Sequence, residues 1–212
     1  MVIAIDGPAG AGKSTVARGL AGELGITYLD SGAMYRCVAL AVSRAGVDPE
    51  DPSAAAGVAS DLEVAFESGR VLLDREDVTD AIRSPEISAL ASRVSVHPGV
   101  REAMVMRQRD LISRGSYVAE GRDIGTVVSP EAPLKVFLVA DDEERARRRA
   151  AESDRPVDEV LADIADRDRR DAEREHGAMR AAGDSIEVDT TSLTADEVIA
   201  RIAALARERD LV

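Results

Sequence analysis

The sequence predicts an α/β fold built on a five-stranded parallel sheet, and three observations predict it. Short apolar runs suited to buried strands alternate along the chain with segments whose apolar positions recur at helical spacing. The first run, Val2-Ile3-Ala4-Ile5, passes through a glycine-rich turn directly into a helical pattern over Thr15 to Ala21. Between Asp48 and Pro85 the texture changes to short alternating pieces, which mark a small antiparallel sheet inserted into that core.

The turn reads Gly7-Pro8-Ala9-Gly10-Ala11-Gly12-Lys13-Ser14, with Thr15 next, and its Gly-x4-Gly-Lys-Ser spacing is the P-loop pattern. Its glycines allow backbone angles that point successive N–H groups at a polyphosphate, and the following helix aims its positive end at the same spot. Lys13 is expected to reach the β- and γ-phosphates of ATP, and the Ser14 hydroxyl to ligate Mg2+. Only two of the 27 basic residues are lysines, and one stands where the motif demands it.

Composition excludes several classes of function. No apolar run approaches the roughly 18 residues that a membrane span needs, and Asp6 interrupts the opening run, so neither a membrane partner nor a secretory signal is expected. Cys37 is alone, which fits a cytoplasmic protein. A net charge of −13 argues against a nucleic-acid partner. Arginines nevertheless cluster at 101–114, 145–155 and 167–174, either as salt-bridged helix surfaces or as a concentrated cationic pocket.

Taken in order, Gly25 stops the first helix and Ile26 to Leu29 is a second strand. Asp30 or Ser31 caps the next helix, which runs to about Ala45 with Arg36 one turn in. Ligands of open parallel sheets bind beyond the carboxyl ends of strands, so Ser31 and Arg36 either lie near the phosphate loop or serve as cap and surface charge. The insertion carries strands at Leu62 to Phe66, Val71 to Leu73 and Val78, with a turn at Ser68-Gly69. Helices follow from Ser84 and over Val100 to Arg114.

Tyr117 to Glu120 is a third core strand ending in Gly121-Arg122-Asp123-Ile124-Gly125, and Glu120 is the candidate for steadying magnesium. Arg122 and Asp123, flanked by glycines, either press on a ligand or form a buried ion pair. Leu134 to Ala140 is a strand, and the helix after it carries Arg145, Arg148 and Arg149. A break at Ser153 to Pro156 precedes a second arginine-rich helix, on which Arg167, Asp171 and Arg174 share one face; the two helices read as a lid over the triphosphate. Ile186 to Asp189 is the fifth strand, and Thr194-x-x-Glu197 is a capping box opening the last helix. Cys37 reads as core, His97 as a loop residue and His176 as a solvated helix end.

These segments together resemble the bacterial cytidylate kinases. The likeness rests on Ile5 to Ser14, Leu-Asp-Ser-Gly-Ala-Met-Tyr-Arg from Leu29, Glu76-Asp77-Val78 with Ile82-Arg83, Glu-Gly-Arg-Asp-Ile-Gly-Thr-Val-Val from Glu120, and Arg-Asp-x-x-Asp-x-x-Arg from Arg167. The resemblance implies a three-layer P-loop NTPase core over 1–47, 96–142 and 176–212, an inserted small antiparallel-sheet NMP-binding region over 48–95, and a helical lid over 143–175. It implies a monomer that moves the γ-phosphoryl group of ATP onto CMP or dCMP.

By the same resemblance Ser92, Arg101 and Asp123 read the cytosine ring, and Ser31, Arg167 and Asp171 hold the sugar. Arg36, Arg122 and Arg174 clamp the acceptor phosphate, a task that suits planar guanidinium forks. Lys13, Arg122, Arg148 and Arg174 are the catalytic cations, and Ser14 and Glu120 serve the metal. Two departures stand out: Ala178-Met179 replaces a proline-leucine pair common in similar proteins, and the segment between Ala150 and Val157 is shorter than in some. The alternatives are a P-loop kinase of another small acceptor, such as UMP, shikimate or dephospho-coenzyme A, and an ATP-driven switch, which gives no reason for the arginine clamp.

Overall fold

The computed structural model describes residues 1–67, 69–153 and 155–211. Ser68 of the expected inserted turn and Asp154 of the expected lid break lie outside the described residues. In chain order the elements are β1 (Val2–Asp6), α1 (Lys13–Leu24), β2 (Thr27–Asp30), α2 (Ser31–Arg44), α3 (Pro52–Asp61), β3 (Val64–Glu67), β4 (Arg70–Leu73) and β5 (Glu76–Asp77). Then come α4 (Pro85–Val94), α5 (Pro98–Ser113), β6 (Tyr117–Gly121), β7 (Leu134–Val139), α6 (Asp142–Ser153), α7 (Val157–Glu173), β8 (Ile186–Asp189) and α8 (Ala195–Glu208). The chain divides into two compact units, Met1–Asp30 with Arg109–Val212, and Ser31–Gln108. Residues 31–47 and 96–108, grouped with the core on sequence, fall in the second unit.

The first unit is a parallel sheet in the order β2-β6-β1-β7-β8. All five residues of β1 are buried, as befits a central strand covered on both faces. From β1 the chain passes outward to β2, returns between them as β6, then crosses to β7, so the loop after β1 sits where the winding reverses. Ile3, Ile5, Leu20, Leu134, Val136, Leu138 and Ile202 form the core between the sheet and helices α1 and α8, each large side chain contributing about 2 kcal/mol by leaving water. The capping box is present: Thr194 Oγ1 accepts from Glu197 N–H, while the Thr194 N–H donates to Glu197 Oε2 at 2.8 Å. Helices α6 and α7 pack through Ala146, Ala150, Val160 and Ile164, and Ala9 of the glycine-rich loop joins that cluster.

The second unit joins α2, α3, α4 and the antiparallel sheet β3-β4-β5. Asp74 and Arg75 both have positive φ, 50° and 71°, which makes the two-residue β4–β5 link a type I′ hairpin whose twist matches its strands. Asp51 caps α3 and Ser84 caps α4, each followed by a proline at the first helical position. Two strand limits differ from expectation. Leu62 ends α3 rather than starting a strand, and the third strand is Glu76–Asp77 with Val78 just beyond it. Leu62 is buried for packing, while Val78 is buried and still bonds across the hairpin, its N–H donating to the Val71 carbonyl at 2.9 Å; period alone cannot tell packing from pairing. His97 is also more than a loop residue: it is buried, and its Nε2 donates to the Pro49 carbonyl at 2.7 Å.

Candidate active site

The glycine-rich loop owes its shape to two close approaches. A Cβ on Gly7 would sit 2.2 Å from the Leu138 carbonyl oxygen, and one on Gly10 would sit 2.7 Å from the Arg145 carbonyl oxygen. Both glycines also have positive φ. Lys13 opens α1 and is buried, its Nζ donating to the Pro8 carbonyl at 2.7 Å. Burial, and then the Arg122 guanidinium, hold its pKa well below the ordinary lysine range, with Glu120 opposing and Arg167 adding to the depression.

One residue on, Ser14 Oγ donates to Glu120 Oε2 at 3.0 Å, and the Tyr28 hydroxyl donates to Glu120 Oε1. Glu120 stands next to last in β6, directly beside Asp30, its register partner on β2. Burial, then the Asp30 charge, raise the Glu120 pKa. Burial and the same carboxylates raise that of Tyr28, so the phenol keeps its proton to donate. A serine hydroxyl and two adjacent carboxylates are hard oxygen donors of the kind magnesium takes alongside water and phosphate, and they fit that ion.

Arginines converge on the same loop. Arg122 Nη1 donates to the Gly7 carbonyl at 2.7 Å and its Nε to Asp171 Oδ2 at 2.6 Å, while Arg174 donates to Asp171 Oδ1. Burial pushes the Asp171 carboxyl up, but Arg122, Arg174 and Arg167 together bring it below its ordinary value. Arg145 Nη1 donates to the Ala9 carbonyl at 2.8 Å and pairs with Asp168, whose Oδ1 in turn accepts the Ala9 N–H at 3.1 Å. Arg148 lies beside Gly12, with Nη1 3.9 Å from where a Cβ there would stand. It donates to Glu144 and to the Thr190 carbonyl, the latter at 2.6 Å. Asp123 is buried after β6.

The remaining residues named from sequence lie in the second unit. Ser31 is the first residue of α2 and buried; Arg36, one turn on, is half-buried. Arg101 of α5 is 4% exposed, and its guanidinium lies 5.6 Å from the centre of the Tyr35 ring, which joins α5 to α2. Ser92 of α4 is 3% exposed, and its Oγ meets no hydrogen-bond partner among the described residues. A buried hydroxyl left so is an expected place for a ligand or water.

The cytidylate kinase family model matches residues 3–208. The chain belongs to the cytidylate kinase family. It is 47% identical to the cytidylate kinase of Geobacter sulfurreducens, covering 99% of this chain and 94% of that one. It is also 47% identical to the cytidylate kinase of Mycobacterium leprae, over 99% and 96% of the two chains. Among solved structures it resembles the shikimate kinase of Bacteroides thetaiotaomicron, with a TM-score of 0.51 at 13% identity over 98% of each chain, a likeness of fold. Membership in a kinase family makes ATP the phosphoryl donor and nucleotides the substrates.

Within this family site, sequence reasoning missed Asp6, Tyr28, Asp30 and Asp168. Asp30 could have been found, because it ends a core strand whose neighbour β6 carries Glu120 near its own end. Asp168 carried a weaker signal, sitting beside Arg167 on the arginine-rich helix. No helix among the described residues is long and apolar enough to cross a membrane.

Proposed function

We propose that the protein transfers the γ-phosphoryl group of ATP to the phosphate of CMP or dCMP, giving ADP and CDP or dCDP. The observation that carries this reading is Asp171 holding Arg122 and Arg174 together, with Arg122 also bound to the first glycine of the phosphate loop. Two guanidinium forks are thereby held together next to the phosphate loop, and planar forks of this kind suit phosphate oxygens.

The acceptor phosphate is already an anion near neutral pH, so the reaction needs no general base. Catalysis then rests on alignment and on balancing negative charge in a loose transition state. Lys13 releases the Pro8 carbonyl to engage the β- and γ-phosphates, and loop N–H groups hold the remaining phosphate oxygens. Ser14, Glu120 and Asp30 would hold Mg2+, which when bound draws charge from the phosphates. Arg36, Arg122 and Arg174 take the acceptor phosphate, and Arg148 adds charge beside Gly12. Ser31, Arg167 and Asp171 hold the sugar. Asp123 and Arg101 with the open Ser92 hydroxyl read the base, whose amine and ring carbonyl need an acceptor and donors. Helices α6 and α7, already tied to the loop through Arg145 and Asp168, keep water from the phosphates.

The working unit is a single chain in the cytoplasm, and its net charge of −13 suits small-molecule rather than nucleic-acid partners. An acceptor panel with ATP and magnesium tests the substrate: CMP and dCMP should far exceed UMP, shikimate and dephospho-coenzyme A. Equal ADP release with and without acceptor would instead favour an ATP-driven switch.

A further inference from the structure

Asp6 ends β1 immediately before the phosphate loop, is 5% exposed, and has no place in the reaction above. Its two carboxylate oxygens are divided between successive backbone donors: Oδ1 accepts from Ile124 N–H and Oδ2 from Gly125 N–H, each at 2.8 Å. Those donors open a wide turn in which Val128 and Ser129 reach back five residues to the carbonyls of Asp123 and Ile124, a geometry that recurs at functional sites. The first N–H groups of such a turn have no partner within it, and Asp6 supplies one from 118 residues away.

The next residue completes the arrangement. The Gly7 carbonyl accepts from Arg122, so residues 6 and 7 together grip both ends of the segment from Arg122 to Gly125. Strands β1 and β6 bring them level, with Asp6 the register partner of Gly121. Gly125 is the residue the contact tolerates, since a Cβ there would lie 3.3 Å from Asp6 Oδ2 and 3.2 Å from the Lys135 side chain. Asp6 is also a costly residue to keep. Burial raises its pKa to about 6; the two N–H bonds and Lys13 of α1 lower it, while Asp123 on the turn raises it. A buried carboxylate retained against that cost points to a task beyond packing.

We propose that Asp6 is a positioning residue that sets Arg122 and Asp123 against the phosphate loop, so that the donor cradle and the acceptor-binding turn are built as one piece. The proposal rests on the cytidylate kinase reading for which substrate each side takes. It differs from a structural role in being one-sided: loosening the turn displaces the acceptor's partners and leaves the loop N–H groups and Lys13 where they are.

The test is Asp6→Asn, which keeps one acceptor oxygen and sets an NH2 group against the other N–H. The expected result is a loss on the order of 10²-fold in kcat/KM for CMP, the scale of a misplacement near 1 Å, with KM for ATP changed less than about threefold. Binding of a nonhydrolysable ATP analogue, measured on the same protein, should be retained. Unchanged CMP kinetics, or equal losses on the ATP and CMP sides, overturns the proposal. If Asp6→Asn does not fold, Gly125→Ala crowds the same carboxylate from the turn side, and it must show the CMP-selective loss or the proposal fails. Wild-type protein that does not phosphorylate CMP would sink the substrate reading, whereas an active wild type with an unaffected variant sinks only the role of Asp6.

Discussion

Arg122 Nε donates to Asp171 Oδ2 over 2.6 Å with both side chains nearly out of water, at 14% and 1% exposed. A pair so enclosed resists being halved, since removal of one partner leaves the other charge buried. The same pair is proposed to serve the acceptor, Arg122 at its phosphate and Asp171 at its sugar, so changing either partner should touch both stability and activity.

Arg122→Ala should lower kcat/KM for CMP by about 10²- to 10³-fold while KM for ATP changes little, because its guanidinium is proposed to meet the acceptor phosphate. Steady-state kinetics with each substrate varied in turn checks this. Unchanged CMP kinetics would remove Arg122 from the clamp.

Asp171→Asn should reduce stability, by about 3 kcal/mol at neutral pH, since Arg122 and Arg174 then lose the buried carboxylate they share. The sign with pH follows from its depressed pKa. The carboxylate's contribution is present above the unfolded value of about 3.9 and is lost as pH falls through the lower folded value. Denaturant titrations of both proteins should therefore converge below about pH 4, and a constant gap would contradict the pairing.

Lys13→Ala should cut kcat by on the order of 10³-fold and leave the folded structure intact, because its amine donates to the loop carbonyl of Pro8 rather than to core. Circular dichroism and turnover on the same sample separate the two. A collapse of the fold would mean that the buried amine has a structural task instead.

Tyr28→Phe removes a hydroxyl that donates to Glu120 while leaving the ring in place. Glu120 already has a raised pKa, and without this donor its ionised form is held less well, so more magnesium should be needed for half-maximal rate, by several-fold. A magnesium titration at saturating ATP reads the shift, and an unchanged curve would place the metal elsewhere.

Much of the fold was legible because its cues are local. Each core strand is a short apolar run, and periodicity locates the loop after β1, the lysine that opens α1 and Glu120 near the end of β6. The inserted sheet showed in its alternation, and Val78 does bond to Val71 of β4, but Leu62 was read as strand because an apolar residue looks the same whether it pairs or only packs. The site was legible only where a motif names it. The Ala9–Asp168 bond spans 159 residues and the Tyr28–Glu120 bond 92, and no spacing rule reaches across such separations. Asp6 was noticed for interrupting an apolar run, while its two bonds to Ile124 and Gly125 depend on the register of β1 with β6.

Asp6 also makes a prediction about stability that runs opposite to Asp171. Its folded pKa of about 6 lies above the unfolded value, so the folded state binds the extra proton. The group's favourable contribution is full below the unfolded pKa of about 3.9 and is lost as pH rises through about 6, a change of about 3 kcal/mol. Asparagine cannot titrate, so Asp6→Asn should gain stability relative to wild type as pH rises from about 4 to 7. Urea midpoints of the two proteins across that range measure it. A difference that stays flat would mean that the carboxylate is not held at the raised value, and that the two N–H bonds and Lys13 together outweigh its burial.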